Sequence, residues 1–181
     1  MKIIDRTADT ASTHQTRNGR QIFSHGNARA RRSVSRIDSV ILHHTNFSSS
    51  DLARFNYVIA NYIVMQNGHV LKVRDHDIAL NSVGTNQRGI DIEFVGVYGT
   101  AAARPPRVQL QAGRDLVAYL KGRHGIGRVF GHAHFTPKSC PGPHIWFNVG
   151  LWAIRNGLRC DRATRSVPPA WSDPSLKLLP L

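Results

Sequence analysis

Ten histidines stand in this chain of 181 residues, and some of them fall where side chains could do chemistry. His43 and His44 close the apolar run Ser39-Val40-Ile41-Leu42. His132 and His134 open the segment Gly131-His132-Ala133-His134-Phe135-Thr136-Pro137-Lys138-Ser139-Cys140-Pro141-Gly142-Pro143, in which Cys140 follows His132 by eight positions. Imidazole nitrogens and a thiolate are the donors zinc takes, and three such ligands leave a fourth tetrahedral position open, the mark of catalytic rather than structural zinc. Spacing alone does not say which histidines take part. Neighbouring side chains on a strand point to opposite faces, so only one of His43 and His44 can face such a site. Cys140 and Cys160 also permit one disulfide, although two cysteines are too few for a disulfide-built scaffold.

A carboxylate and a cation complete the set. Gly89-Ile90-Asp91-Ile92-Glu93-Phe94-Val95 alternates like a strand, and its large apolar residues mark it as buried. An unpaired carboxylate there is costly. Glu93 therefore needs either an Arg partner, natural in so basic a chain, or a task such as activating water. Lys138 stands two residues before Cys140, either one more surface cation or a charge tied to the ligand loop.

These residues need elements to position them. Ser39–Leu42 reads as a buried strand ending at His43-His44-Thr45, and Ser48–Asp51 offers caps for a short helix through about Val58. Tyr62–Met65 and His69–Val73 flank Gln66-Asn67-Gly68, a strong hairpin signal. Pro105-Pro106 opens a helix to about Lys121 with Gly113, Leu116, Val117 and Leu120 on one face. Val129-Phe130 is a short strand, and Ile145–Leu158 reads as a last helix with Trp146 and Trp152 inward. The order predicts an α/β fold, a central mixed sheet flanked by helices. Residues 1–36, polar and Arg-rich, read as a flexible or loosely packed basic arm, residues 37–160 as the catalytic domain, and residues 161–181, with their prolines, as an extended tail.

Composition limits the class. The length suits one domain, with 41% apolar residues and no run near the roughly 20 a membrane span needs. The start, MKIIDRTADTASTHQ, lacks the apolar core of a signal peptide, so the expectation is synthesis in the cytoplasm and release by other means. A net charge of +13 draws the chain to polyanions. The basic residues are scattered, with no recognition motif interleaving them with aromatics, so nucleic acid is the weaker expectation.

Four blocks in order resemble the zinc-dependent N-acetylmuramoyl-L-alanine amidases, a family that includes amidase-type phage lysozymes and peptidoglycan recognition proteins. They are Val40–Thr45, Tyr62–Gly68, Asn86–Glu93 and Gly131-His132 with Pro137–Pro143. The resemblance implies zinc held by His43, His132 and Cys140, with Glu93 activating water and Lys138 steadying developing negative charge. His44 and His134 are left without a ligand role. It also implies a peptidoglycan muropeptide substrate cut between N-acetylmuramic acid and L-alanine, in the manner of a phage endolysin, by a monomer whose basic surface favours anionic envelope polymers. A peptidoglycan-binding module without catalysis is the alternative. Ala60 stands where the phage lysozymes carry a Tyr, Ser82 where many amidases carry a His, and Asp91 where a Gly is usual. Asp91 either adds a second carboxylate or points away.

Overall fold

The computed structural model describes residues 1–10, 32–80, 87–172 and 176. Six strands form one mixed sheet: β1 (Ile3–Asp5), β2 (Ser39–His44), β3 (Tyr62–Val64), β4 (Val70–Lys72), β5 (Gly89–Phe94) and β6 (Arg128–Gly131), in the order β1-β4-β3-β5-β2-β6. Among these six strands β3 and β4 pair antiparallel, and the other neighbours, including the central trio β5-β2-β6, run parallel. The hairpin turns through Gly68 at φ 83°, as Asn67-Gly68 predicts.

Strand alternation divides the central residues between two faces. Val40, Leu42, Ile90, Ile92 and Phe94 pack under α2 (Arg107–His124) and the C-terminal helical segments, with Leu116, Leu120, Trp146 and Trp171 in the same core. The last helix of the sequence reading is three consecutive pieces: α3 (Pro143–Ile145), a π-helical turn at Trp146–Gly150, and α4 (Leu151–Arg155). α2 sits close because Gly113 has no side chain; a Cβ there would stand 2.5 Å from the Phe94 ring. Ile41, His43, Asp91 and Glu93 lie on the opposite face, by the same alternation. A smaller apolar cluster of Phe55, Val58, Ile63 and Leu71 fills part of that face. The short helix expected after Asp51 is 3₁₀ (Leu52–Tyr57), capped by the Asp51 carboxylate on the Ala53 N–H at 2.9 Å. Fully buried Arg74 holds the end of this helix and the residues after it by donating to the carbonyls of Asn56, Val58 and Ala60.

Two stretches read as peripheral are built into the body. Residues 3–5 of the expected arm form β1, paired parallel with β4, and a short helix α1 (Thr7–Thr10) follows. The rest of the arm from 11 to 31 lies outside the described residues. In the expected tail, Pro169–Ser172 makes a 3₁₀ turn and Trp171 is buried against Trp146, ring centroids 6.0 Å apart. The bulk of one indole, worth roughly 2–3 kcal/mol when removed from water, outweighs the prolines around it.

Candidate metal centre

β2 and β5 pair in register, His43 opposite Glu93 and Ile41 opposite Asp91. β6, on the other side of β2, delivers His132 at its end, where a 3₁₀ turn (His132–His134) begins. The loop then folds back so that the Ala133 N–H bonds the Cys140 carbonyl at 2.8 Å. Gly142 follows at φ 93°, where a Cβ would collide with the Tyr98 carbonyl oxygen at 1.7 Å, so the loop's return requires glycine.

The result is a compact donor set. One ligand atom each from His43, His132 and Cys140 lie within 4.8 Å of one another, and the His43 and His132 Nδ1 atoms are 3.0 Å apart. Two ring nitrogens on one tetrahedral zinc, at bonds of about 2.0–2.1 Å, stand roughly 3.3 Å apart. The donors fit zinc in kind and in spacing. Cys140 is buried and its sulfur accepts the His44 backbone N–H at 3.2 Å. Cys160 is likewise free, so the disulfide option is not taken.

The electrostatics set the two histidines apart. Burial alone would disfavour charge on His43, but hydrogen bonds with Asp91 and Cys140 and the charges of Glu93 and Cys140 raise it well above the usual imidazole value. His132 goes the other way: burial and the positive charges of His43, Lys138 and His44 press it down to about 3, leaving a neutral ring with a lone pair to give. Burial pushes the Glu93 carboxyl up to about 7; the charge on His43 opposes this and Asp91 adds to it. Glu93 is partly exposed as a residue, yet its Oε2 is buried with no hydrogen-bond partner among the described residues.

These groups line a cavity of about 740 Å³ together with His44, Asn46, Ile59 and the segment Pro137–Ser139. Lys138 is exposed on its rim. All five residues singled out from the sequence, His43, His132, Cys140, Glu93 and Lys138, therefore come to one cavity. His44 also borders it, but its Nδ1 is taken by the Tyr98 N–H at 3.0 Å, and burial lowers it to about 4. His134 turns away and is buried, its Nδ1 accepting the Gly131 N–H at 2.9 Å and its Nε2 3.5 Å from the Cys160 sulfur. It does not face solvent. Asp91 points inward, 2.9 Å from His43 Nε2. Ala60 is fully buried, and Ser82 lies outside the described residues.

The N-acetylmuramoyl-L-alanine amidase family model matches residues 33–143, more than half of the chain. Peptidoglycan-recognition proteins SC1a of Drosophila melanogaster and SC1a/b of Drosophila simulans are each 26% identical over 101 residues, covering 54% of this chain and 54% of theirs. The chain thus matches about half the length of these relatives. Among solved structures, the N-acetylmuramoyl-L-alanine amidase LysC from Clostridium intestinale superposes with a TM-score of 0.60 at 17% identity, covering 70% of this chain and 90% of that one. The endolysin of Thermus scotoductus bacteriophage Ph2119 gives 0.59 at 18% identity, over 86% and 99%. Drosophila PGRP-LB gives 0.59 at 16%, over 83% and 94%. At such identities the likeness to these structures is one of fold.

Proposed function

The chain belongs to the N-acetylmuramoyl-L-alanine amidase family, and on that premise we propose that it is a zinc hydrolase. It cuts the amide between the lactyl group of N-acetylmuramic acid and L-alanine, as an endolysin-type enzyme acting on the cell wall. One observation carries the reading: a three-donor cluster of His43, His132 and Cys140 shares its cavity with Glu93, whose Oε2 is buried and has no partner among the described residues.

His43, His132 and Cys140 would hold zinc, which supplies a Lewis acid able to make water nucleophilic near neutral pH. Glu93 accepts the proton of the attacking water and returns it to the departing amine of L-alanine. Its raised pKa suits both halves of that exchange, because a general acid–base works best near the ambient pH. Lys138, on the rim, brings positive charge to the oxyanion of the tetrahedral intermediate. Cys140 acts as a ligand and not as a nucleophile.

A binding module without catalysis makes no use of a desolvated, unpartnered carboxylate beside a full donor set, so the catalytic reading is favoured. The basic surface serves a second purpose in this proposal. Arg88, Arg159 and Arg162, each more than half exposed, give anionic envelope polymers a place to bind. The decisive experiment combines metal analysis with mass spectrometry of digested peptidoglycan for the wild type, Glu93→Ala and Cys140→Ala. Stoichiometric zinc and free stem peptides from wild type, zinc without product from Glu93→Ala, and neither from Cys140→Ala support the reading. A zinc-free wild type, or full-rate release by Glu93→Ala, ends it.

A further inference from the structure

Asp91 takes no part in the chemistry above, yet it is the most deeply buried carboxylate beside the donor cluster, 1% exposed. It stands opposite Ile41 in the β2–β5 register, two pairs before His43 and Glu93, so its side chain emerges on the same face as both. The backbone around it is fixed: its N–H donates to Asn61 Oδ1 at 3.1 Å and its carbonyl accepts the Asn61 N–H at 3.0 Å. Asn61 is itself fully buried and donates onward to the Asp75 carbonyl at 3.0 Å. Beneath lies Arg32, 6% exposed, whose guanidinium is bound to the carbonyls of His76 and Gly89 and interacts electrostatically with Asp91. A carboxylate so placed keeps one position and one orientation.

Its partner is the far nitrogen of a proposed metal ligand. Asp91 Oδ1 stands 2.9 Å from His43 Nε2, and His43 is 2% exposed. An ionised carboxylate only accepts, so the proton of that contact belongs to Nε2. A neutral imidazole with Nε2–H has its lone pair on Nδ1, the nitrogen that sits 3.0 Å from His132 Nδ1 inside the donor cluster. Without Asp91 the two tautomers would be close in energy, and one of them would aim an N–H at the metal position.

We propose that Asp91 is a positioning residue that locks His43 in the Nε2–H tautomer and so presents Nδ1 as the metal ligand, with Asn61 fixing its backbone and the Arg32 charge favouring its carboxylate. The inference rests on the zinc reading of this site. It adds that the selectivity for Nδ1 is set from outside the ligand set.

The test titrates the full chain with zinc against a chromophoric chelator, for wild type, Asp91→Asn and Asp91→Ala. Ring tautomers are read in parallel by long-range ¹H–¹⁵N correlation of the zinc-loaded wild type. Loss of an orienting partner typically weakens metal binding about 10–100-fold, and that loss is expected for Asp91→Ala. Asp91→Asn keeps an accepting oxygen and should recover most of the affinity. In the wild type, His43 should carry a proton on Nε2 and metal on Nδ1. Zinc on His43 Nε2, or an Asp91→Ala affinity within twofold of wild type, overturns the inference while leaving the zinc site standing. A wild type that takes up no zinc overturns both. Should Asp91→Ala not fold, the His43 tautomer in the wild-type spectrum decides alone.

Discussion

The two ends of the same parallel strands carry two clusters of ionisable groups, and they are built in opposite ways. At the C-terminal ends of β2, β5 and β6, His43, Glu93 and His132 line one cavity with Asp91 buried against His43, and Glu93 Oε2 has no partner among the described residues. At the N-terminal ends, five residues and about 16 Å back along β2 at 3.3 Å per residue, Asp38 is surrounded. Its Oδ2 accepts from Arg88, from Arg128 at 2.9 Å and from Arg162 at 3.1 Å, and Arg128 reaches on to Asp161 at 2.7 Å. Burial pushes the Asp38 carboxyl up, but its bond with Arg88 and the three positive charges bring it below the ordinary value. One pole has a carboxylate short of partners and the other a carboxylate with a surplus. Chemistry needs the first arrangement, because a group whose bonds are all satisfied has nothing to exchange with a substrate.

The sharpest way to break this contrast is to neutralise one member of each pole. Glu93→Gln keeps shape and removes the base. It should retain zinc and lose about 10²–10⁴-fold in the rate of stem-peptide release, the usual worth of a general acid–base. Arg159→Gln, at the opposite pole where its guanidinium lies 3.6 Å from Asp161, should leave the rate on soluble muropeptides unchanged. Equal losses would show that the two poles do not differ in kind.

The next effect concerns stability in the metal-free protein. Glu93 titrates near 7 in the fold against an ordinary 4.5, so the native state holds a proton that the unfolded chain has released. Below pH 4.5 the carboxyl is neutral in both states and costs nothing. Stability falls as pH rises from there through 7, by at most about 3–4 kcal/mol at 1.36 kcal/mol per unit. Metal-free Glu93→Gln should therefore be more stable than metal-free wild type at pH 8 and no different at pH 4. Urea midpoints at the two values check it, and a wild type that gains stability over that range relative to the variant refutes it.

How much of this was legible in the sequence follows from the range of the interactions. His43, His132 and Cys140 are local signals: a histidine at the end of an apolar run and a loop of fixed spacing in which proline and glycine set the turns. Glu93 was legible from its alternating, apolar neighbours. Asp91 was not, since its use depends on which residue of β2 stands opposite it, and one step of register would have sent it to the α2 face. β1 escaped because three residues at a sheet edge carry no periodicity, and Trp171 because the prolines around it suggested an extended path. The Asp38 cluster joins residues from four separate parts of the chain, which no local pattern announces.

The poles can be sharpened further at the charged end. Asp38→Asn removes the one carboxylate oxygen shared by three guanidiniums and leaves them facing one another. The expected cost is on the order of 1 kcal/mol at low salt for a partly exposed network. Its sign with pH is set by the lowered pKa of Asp38: the stabilisation is present above the ordinary carboxylate range and disappears as pH falls through the folded value. Wild type and variant should therefore converge in acid, as guanidinium-free (urea) unfolding at neutral and acid pH can show.

Arg162→Gln is the smallest effect and the most discriminating. Arg162 is 52% exposed and supplies only one of the three cations on Asp38 Oδ2. Removing it leaves Arg88 and Arg128 in place, so the carboxylate stays satisfied and the mutual repulsion of the cations declines. The loss should not exceed about 0.5 kcal/mol at low ionic strength, and it should vanish in 1 M salt, where screening acts within about 3 Å. If Arg162→Gln instead cost more than Asp38→Asn, the carboxylate would be short of partners as Glu93 is, and the opposition between the poles would collapse. A surplus predicts the reverse order, because the scarce charge at that pole is the negative one.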